Sequence, residues 1–161
     1  MNIYFNQVKD HDEVSFESSL NKFFKEDALL KKINNCKGTI TLNKAENTLI
    51  INFNILCNIN ITSSYTGVPF NKEIKIDDTL YFTNTKSLDS DDIIFVKDLI
   101  DLDYYVYSLL ITSIPVDAHK DGEKLPKGKD YRVLTEDEYL KEKASSGSNA
   151  FSALNDIDFG D

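Results

Sequence analysis

Between Leu49 and Ile61 every odd position is apolar: Leu49, Ile51, Phe53, Ile55, Cys57, Ile59 and Ile61. Asn52, Asn54, Asn58 and Asn60 stand at even positions. A period of two held this long predicts a strand with one buried and one wet face, as in an antiparallel sheet. So long a strand must twist, bend or bulge. Ile40 and Leu42 alternate with threonines ahead of it, and Lys44 to Asn47 reads as a turn. After a second turn, Thr66 to Pro69, the alternation returns at Phe70, Ile74, Ile76, Leu80 and Phe82. The centre is therefore a meander of at least three strands. Ahead of it, Ile3 and Phe5 mark one short strand, and Val14 and Phe16 another, around a polar loop from Lys9 to Glu13. Leu20, Phe23, Phe24, Leu29, Leu30 and Ile33 recur at helical spacing, which predicts a helix from about Leu20 to Lys32, stopped by Asn34-Asn35.

Past the meander, residues 84–92 are acidic and read as an exposed loop, followed by a short apolar run, Ile93 to Val96, as strand or lead into a helix. Asp101 is a natural N-cap for a helix carrying Leu102, Val106, Leu109, Leu110 and Ser113, which Pro115 ends. Residues 117–130 are charged and loop-like, and Tyr131 to Leu134 reads as a last short strand. Thr135-Glu136-Asp137-Glu138 has the form of a capping box opening a short acidic helix. The Ser/Gly stretch at 144–149 has the composition of a flexible linker, and Phe151, Leu154 and Ile157 beyond it recur every third residue. If helical, that tail carries an apolar stripe that needs a surface, either its own domain or the groove of an assembly partner, and in the second reading these three are the partner-binding residues. The expected fold class is α+β: an antiparallel meander with helices packed on its apolar face in one domain, 1–143, then a flexible C-terminal tail, 144–161. No internal repeat is present.

Composition narrows the function. The chain has 161 residues, 41% of them apolar, too many for a disordered chain. Eighteen Lys and Arg against 27 Asp and Glu leave a net charge of -9. That opposes sequence-independent coating of nucleic acid, which needs clustered cations, and docking on an anionic membrane. No apolar stretch reaches the length that spans a bilayer. The start lacks a basic n-region and an apolar h-region, so the expected location is cytoplasmic. Arg132 is the only Arg, Asn is abundant and Trp is absent, a bias of AT-rich genomes.

Candidate chemistry is thin. Two cysteines, Cys36 and Cys57, cannot make a four-thiolate zinc site. Cys57 falls on the apolar face of the long strand; Cys36 follows the expected helix end and reads as partly exposed. A disulfide between them is disfavoured in a reducing compartment. His11 and His119 sit in acidic loops without ligand spacing and read as solvated. Leu88 to Asp92 superficially suggests a calcium loop but lacks its Gly and its terminal Glu. Tyr104, Tyr105 and Tyr107 have the faces to stack bases, yet their spacing fits helix packing better. There is no phosphate-binding glycine loop and no nucleophile elbow. The residues thus predict no catalytic group, no cofactor and no metal, and a role in contact rather than chemistry.

The order of features carries further. The long strand runs into Ser63-Ser64-Tyr65-Thr66-Gly67-Val68-Pro69-Phe70; an acidic loop follows; then Ile100-Asp101-Leu102, an apolar helix and Ser113-Ile114-Pro115; and the chain closes with Asn149-Ala150-Phe151-Ser152-Ala153-Leu154. From about Val14 to Leu154 this ordered set resembles the YceD-like family, the large ribosomal RNA subunit accumulation proteins. The matching positions are Ser63, Thr66, Pro69, Phe70, Asp101, Leu102 and Pro115. Ser63 and Thr66 stand where many members have a cysteine pair, and Val116 to Lys120 lacks the further cysteines that some carry there. A metal or redox role for those cysteines cannot apply to this chain.

The resemblance implies a non-enzymatic ribosome-biogenesis factor, supporting the accumulation, processing or assembly of large-subunit ribosomal RNA. With a charge of -9, protein contacts suit it better than direct RNA contact, and basic ribosomal or assembly proteins offer the opposite field. Two other readings compete. One is a metal-dependent RNA-processing enzyme holding Mg2+ on Asp77-Asp78 or Asp91-Asp92. The other is a chaperone-like adaptor domain.

Overall fold

A computed structural model describes residues 1–88 and 91–152. Contacts divide the chain into two units, residues 1–121 and the part from Gly122 on.

The first unit is built on a five-stranded sheet. A short strand β1 (Asn2–Tyr4) precedes β2 (Asp12–Ser18), β3 (Leu30–Ala45), β4 (Thr48–Thr62) and β5 (Pro69–Thr83). β6 (Ile93–Phe95) and β7 (Leu99–Asp101) lead into α1 (Leu102–Ser113). The sheet order is β2-β3-β4-β5-β6, and β1 pairs with β7 in a separate two-stranded ribbon. The meander β2 to β5 is antiparallel, as its alternation predicts; β6 joins β5 in parallel at Tyr81 to Thr83.

All seven odd positions of β4 from Leu49 to Ile61 are buried. Central in the sheet, they meet Ile40 and Leu42 of β3 and Ile74, Ile76 and Phe82 of β5 in one core. α1 lies against β1, β4 and β5. It buries Leu102, Val106 and Leu110, the one-turn repeat of a single helical stripe. Tyr105 meets the edge of Phe82, with centroids 4.8 Å apart.

The opposite face of the sheet is amide-rich. Asn34 donates to Asn58 and Asn60 to Asn71, each at 2.9 Å, and Thr79 donates to Asn52 at 2.8 Å. Asparagine is a poor strand former, but here its side chains satisfy one another across the strands. Beyond the reach of β6, the outer edge of β5 carries Lys72, Glu73, Lys75, Asp77 and Asp78, charges that oppose edge-to-edge pairing.

One expected element is absent. Residues 20–32 form no helix: Leu20 to Phe23 make a turn, with Leu20 at φ +54°, and Leu30 already belongs to β3. The reason lies in two irregularities in the β3–β4 register, between Leu30 and Lys32 and between Ile33 and Asn35. Each inserts an extra residue, so the inward positions become Leu30, Ile33 and Cys36, spaced by three. A bulged strand thereby imitates the spacing of a helix. At the chain reversal, Asp27 Oδ1 accepts the N–H groups of Leu29 and Leu30 at 2.8 and 2.6 Å, which leads the chain into β3.

In the second unit, Tyr131 to Leu134 makes no strand; its one bridge joins Lys127 to Arg132. The capping box is formed: Glu138 N–H donates to Thr135 Oγ1 at 3.2 Å, and Thr135 N–H to Glu138 Oε2 at 3.1 Å. It opens α2 (Glu136–Ser152), whose three first-turn acids suit the helix dipole. Arg132 pairs with Glu142. The bounds of α2 include residues 144–149. The helices expected on the apolar face of the sheet thus reduce to α1 in the first unit, with α2 in the second.

Candidate functional site

The β4–β5 connection is organised by its first residue. Ser63 is buried, and its Oγ accepts the N–H groups of Tyr65 and Thr66 at 3.1 and 3.3 Å. Its carbonyl accepts Gly67 N–H at 3.0 Å, and its own N–H donates to Val68 O at 3.0 Å. A hydroxyl that folds the following backbone back on itself is the usual physics of a Ser-led turn. Gly67 supplies the left-handed residue such a turn needs, at φ +72°. Thr66 is exposed, and its Oγ1 faces Val68 N at 3.4 Å. Pro69 opens β5 opposite Thr62, a strand-end position that tolerates its missing N–H. Phe70, opposite Ile61, packs on the rim of the core.

The segment after α1 comes back to this turn. The helix stops at Ile114, whose extended backbone (φ -72°, ψ 119°) is the conformation required before Pro115. After a turn at Val116-Asp117, Ala118 is buried and its carbonyl accepts Ser64 N–H at 2.8 Å. The next residue, His119, stacks on Tyr65 with ring centroids 4.2 Å apart. The expectation of a solvated His119 is thus corrected: it is half-buried against a ring. The contact itself has no local signal in the sequence, because its two residues stand 54 positions apart.

Asp101 and Leu102 stand at the other end of α1, about 18 Å away along a 12-residue helix. Asp101 is in the N-cap position with extended backbone but makes no side-chain cap bond. Its Oδ2 instead accepts Lys22 Nζ at 3.0 Å. Leu102 is fully buried, and its N–H donates to Met1 O at 2.9 Å. The seven motif positions therefore fall into a turn cluster beside the end of α1 and a separate N-terminal anchor of the same helix.

The tyrosines of α1 pack as their spacing predicts. Phe23 meets Tyr104 edge-on at 5.8 Å and Tyr107 at 6.1 Å. Burial, with a lesser contribution from the nearby charge of Tyr104, pushes the Tyr105 phenol above its ordinary range. The acidic pair Asp77-Asp78 lies on one strand, where successive side chains point to opposite faces. Asp77 pairs with Lys75 at 3.0 Å, and Asp78 caps Thr79 N–H at 2.7 Å. Among the described residues no group of three or more His, Cys, Asp and Glu is placed to hold a metal ion. His11 is exposed, with Nδ1 2.7 Å from Asn43 Oδ1.

The cysteines hold a surprise. Cys36 is fully buried rather than partly exposed, and it lies directly opposite Cys57 on the β3–β4 ladder. Among the described residues no helix is long and apolar enough to cross a membrane. The tail residues Leu154 and Ile157, and the side chain of Phe151, lie outside the described residues. Compared with protein-family models, with curated proteins and with solved structures, the chain matches none of them.

Proposed function

We propose that this chain is a non-enzymatic, cytoplasmic factor that supports the accumulation of large-subunit ribosomal RNA, acting in its processing or in subunit assembly through contacts with protein partners. The observation that carries the reading is the meeting of two segments far apart in sequence. In the YceD-like pattern, cysteines of other members fall at the positions of Ser63 and Thr66 and in the stretch after Pro115. In this chain those two stretches touch, through Ser64 N–H on Ala118 O and through the stack of Tyr65 on His119. A hydroxyl-organised turn and a ring stack hold the two stretches together.

Charge supports the choice of partner. A net charge of -9 repels an RNA backbone and favours fast, salt-sensitive association with basic ribosomal or assembly proteins. The test is depletion of the protein in its own host, with the ratio of large- to small-subunit ribosomal RNA as the readout. The expected result is a fall in that ratio, reversed by the wild-type chain. An unchanged ratio on full depletion overturns the proposal.

A further inference from the structure

We propose that Cys36 and Cys57 form one redox unit: a buried cross-strand dithiol that stays reduced when the chain folds in a reducing medium, closes to a disulfide by exchange when it folds with an oxidised small-molecule disulfide present, and is then sealed by the folded sheet in whichever state it was made.

The geometry is that of direct neighbours. Cys36 and Cys57 are Cα partners in the β3–β4 register, and both are 0% exposed. Directly opposed residues of an antiparallel pair have Cα atoms about 4.5–5.5 Å apart. That lies within the range a disulfide spans without backbone movement. Both side chains belong to the core cluster, and both cysteines are free. On the core face, Ile33 and Ile59 flank the pair on one side and Ile55 on the other.

The exchange balances without any group held by the protein. A thiolate of one cysteine attacks a small-molecule disulfide such as oxidised glutathione, forming a mixed disulfide and releasing one reduced thiol. The second cysteine then displaces the other thiol, giving the Cys36–Cys57 bond, with two thiols and no net proton change as the balance. Both steps need a thiolate and access. The folded domain denies both, because the Cys36 hydrogen bond and burial hold the Cys57 thiol far above its ordinary range. The unfolded chain grants both, and only a short loop of about 20 residues must close. The oxidation state is therefore set during folding.

The full chain, unfolded in concentrated guanidinium and refolded in a buffer of oxidised and reduced glutathione, provides the test. Expected is a monomer lighter by two hydrogen atoms, with the Cys36 and Cys57 peptides joined in a non-reduced digest and native circular dichroism regained. The reduced chain, already folded and placed in the same buffer, should oxidise slower by on the order of a hundredfold. Glutathione adducts, intermolecular dimers or persistently free thiols after oxidative refolding would overturn the proposal. So would a joined product without native circular dichroism, or equal rates from the folded and unfolded chains. Cys36→Ser serves as the control: with its mate removed, Cys57 should yield no mass loss in either protocol.

Discussion

The ring of Tyr65 lies on the imidazole of His119, with centroids 4.2 Å apart and planes 16° apart. One residue belongs to the β4–β5 turn and the other follows the last turn of α1. The stack, together with Ser64 N–H on Ala118 O at 2.8 Å, ties the far end of the hairpin to the chain leaving the helix. Tyr65→Ala should remove about 1–2 kcal/mol of stability, whereas Tyr65→Phe, which keeps the stacked ring, should stay within about 0.5 kcal/mol. Urea midpoints measure both. Equal losses for the two variants would mean that the hydroxyl, not the ring, holds the contact.

The buried face of β4 makes a sharper contrast. Phe53 is 1% exposed in the core, while its neighbour Asn54 is exposed on the opposite face, facing Thr39 and Asp77. Phe53→Asp puts an unpaired carboxylate among apolar side chains, a cost of several kcal/mol and comparable to the whole stability of a domain. Asn54→Asp adds a like charge across from Asp77 in water, worth about 1 kcal/mol at most. The expected result is an unfolded or insoluble first variant and a near-native second one, read by circular dichroism and denaturation. Matching midpoints would contradict the register.

Gly38 has a steric duty. A Cβ there would lie 2.0 Å from Asn54 O and 2.8 Å from Ile55 Cα, both backbone atoms of the central strand. Backbone cannot rotate away as a flexible side chain can, so the two strands must separate locally. Gly38→Ala should cost at least about 2 kcal/mol and speed amide exchange along the β3–β4 ladder near Ile55. An unperturbed melting temperature would show that the strands approach less closely.

Alkaline pH should weaken the reduced protein in two steps. In the fold, Cys57 is held above the ordinary thiol value of 9.0 by its bond to Cys36 and by burial; Tyr105 is held above 10.0 chiefly by burial. Both groups ionise more readily in the unfolded chain. The stability tied to them is complete below the unfolded thiol value and is lost as pH rises through the unfolded values toward the folded ones. Urea midpoints taken from pH about 8 to about 11 should therefore fall. Tyr105→Phe should flatten the upper part of that fall and leave the lower part, which belongs to the thiol. A Tyr105→Phe curve parallel to the wild type throughout would rule out the tyrosine's share.

Much of this architecture is written locally. The odd-position run from Leu49 to Ile61, the alternation of β5 and the Leu102, Val106, Leu110 stripe of α1 each declare their own buried side. So does the capping box at Thr135 and Glu138, since its partners are three residues apart. These signals survive without knowledge of the rest of the chain because a period of 2 or 3.6 records which side of an element meets the core.

What periodicity omits is the identity of the neighbour. The apolar positions Leu30, Ile33 and Cys36 have helical spacing, and only the bulged pairing with β4 makes them inward positions of a strand. The same pairing carries Cys36 from an expected helix end into the core opposite Cys57. The parallel docking of β6, the meeting of Ser64 with Ala118 and the stack of Tyr65 on His119 likewise join residues far apart in sequence. Amino-acid order set which faces had to be buried; tertiary structure decided what each face was buried against, because a register between strands depends on both partners at once.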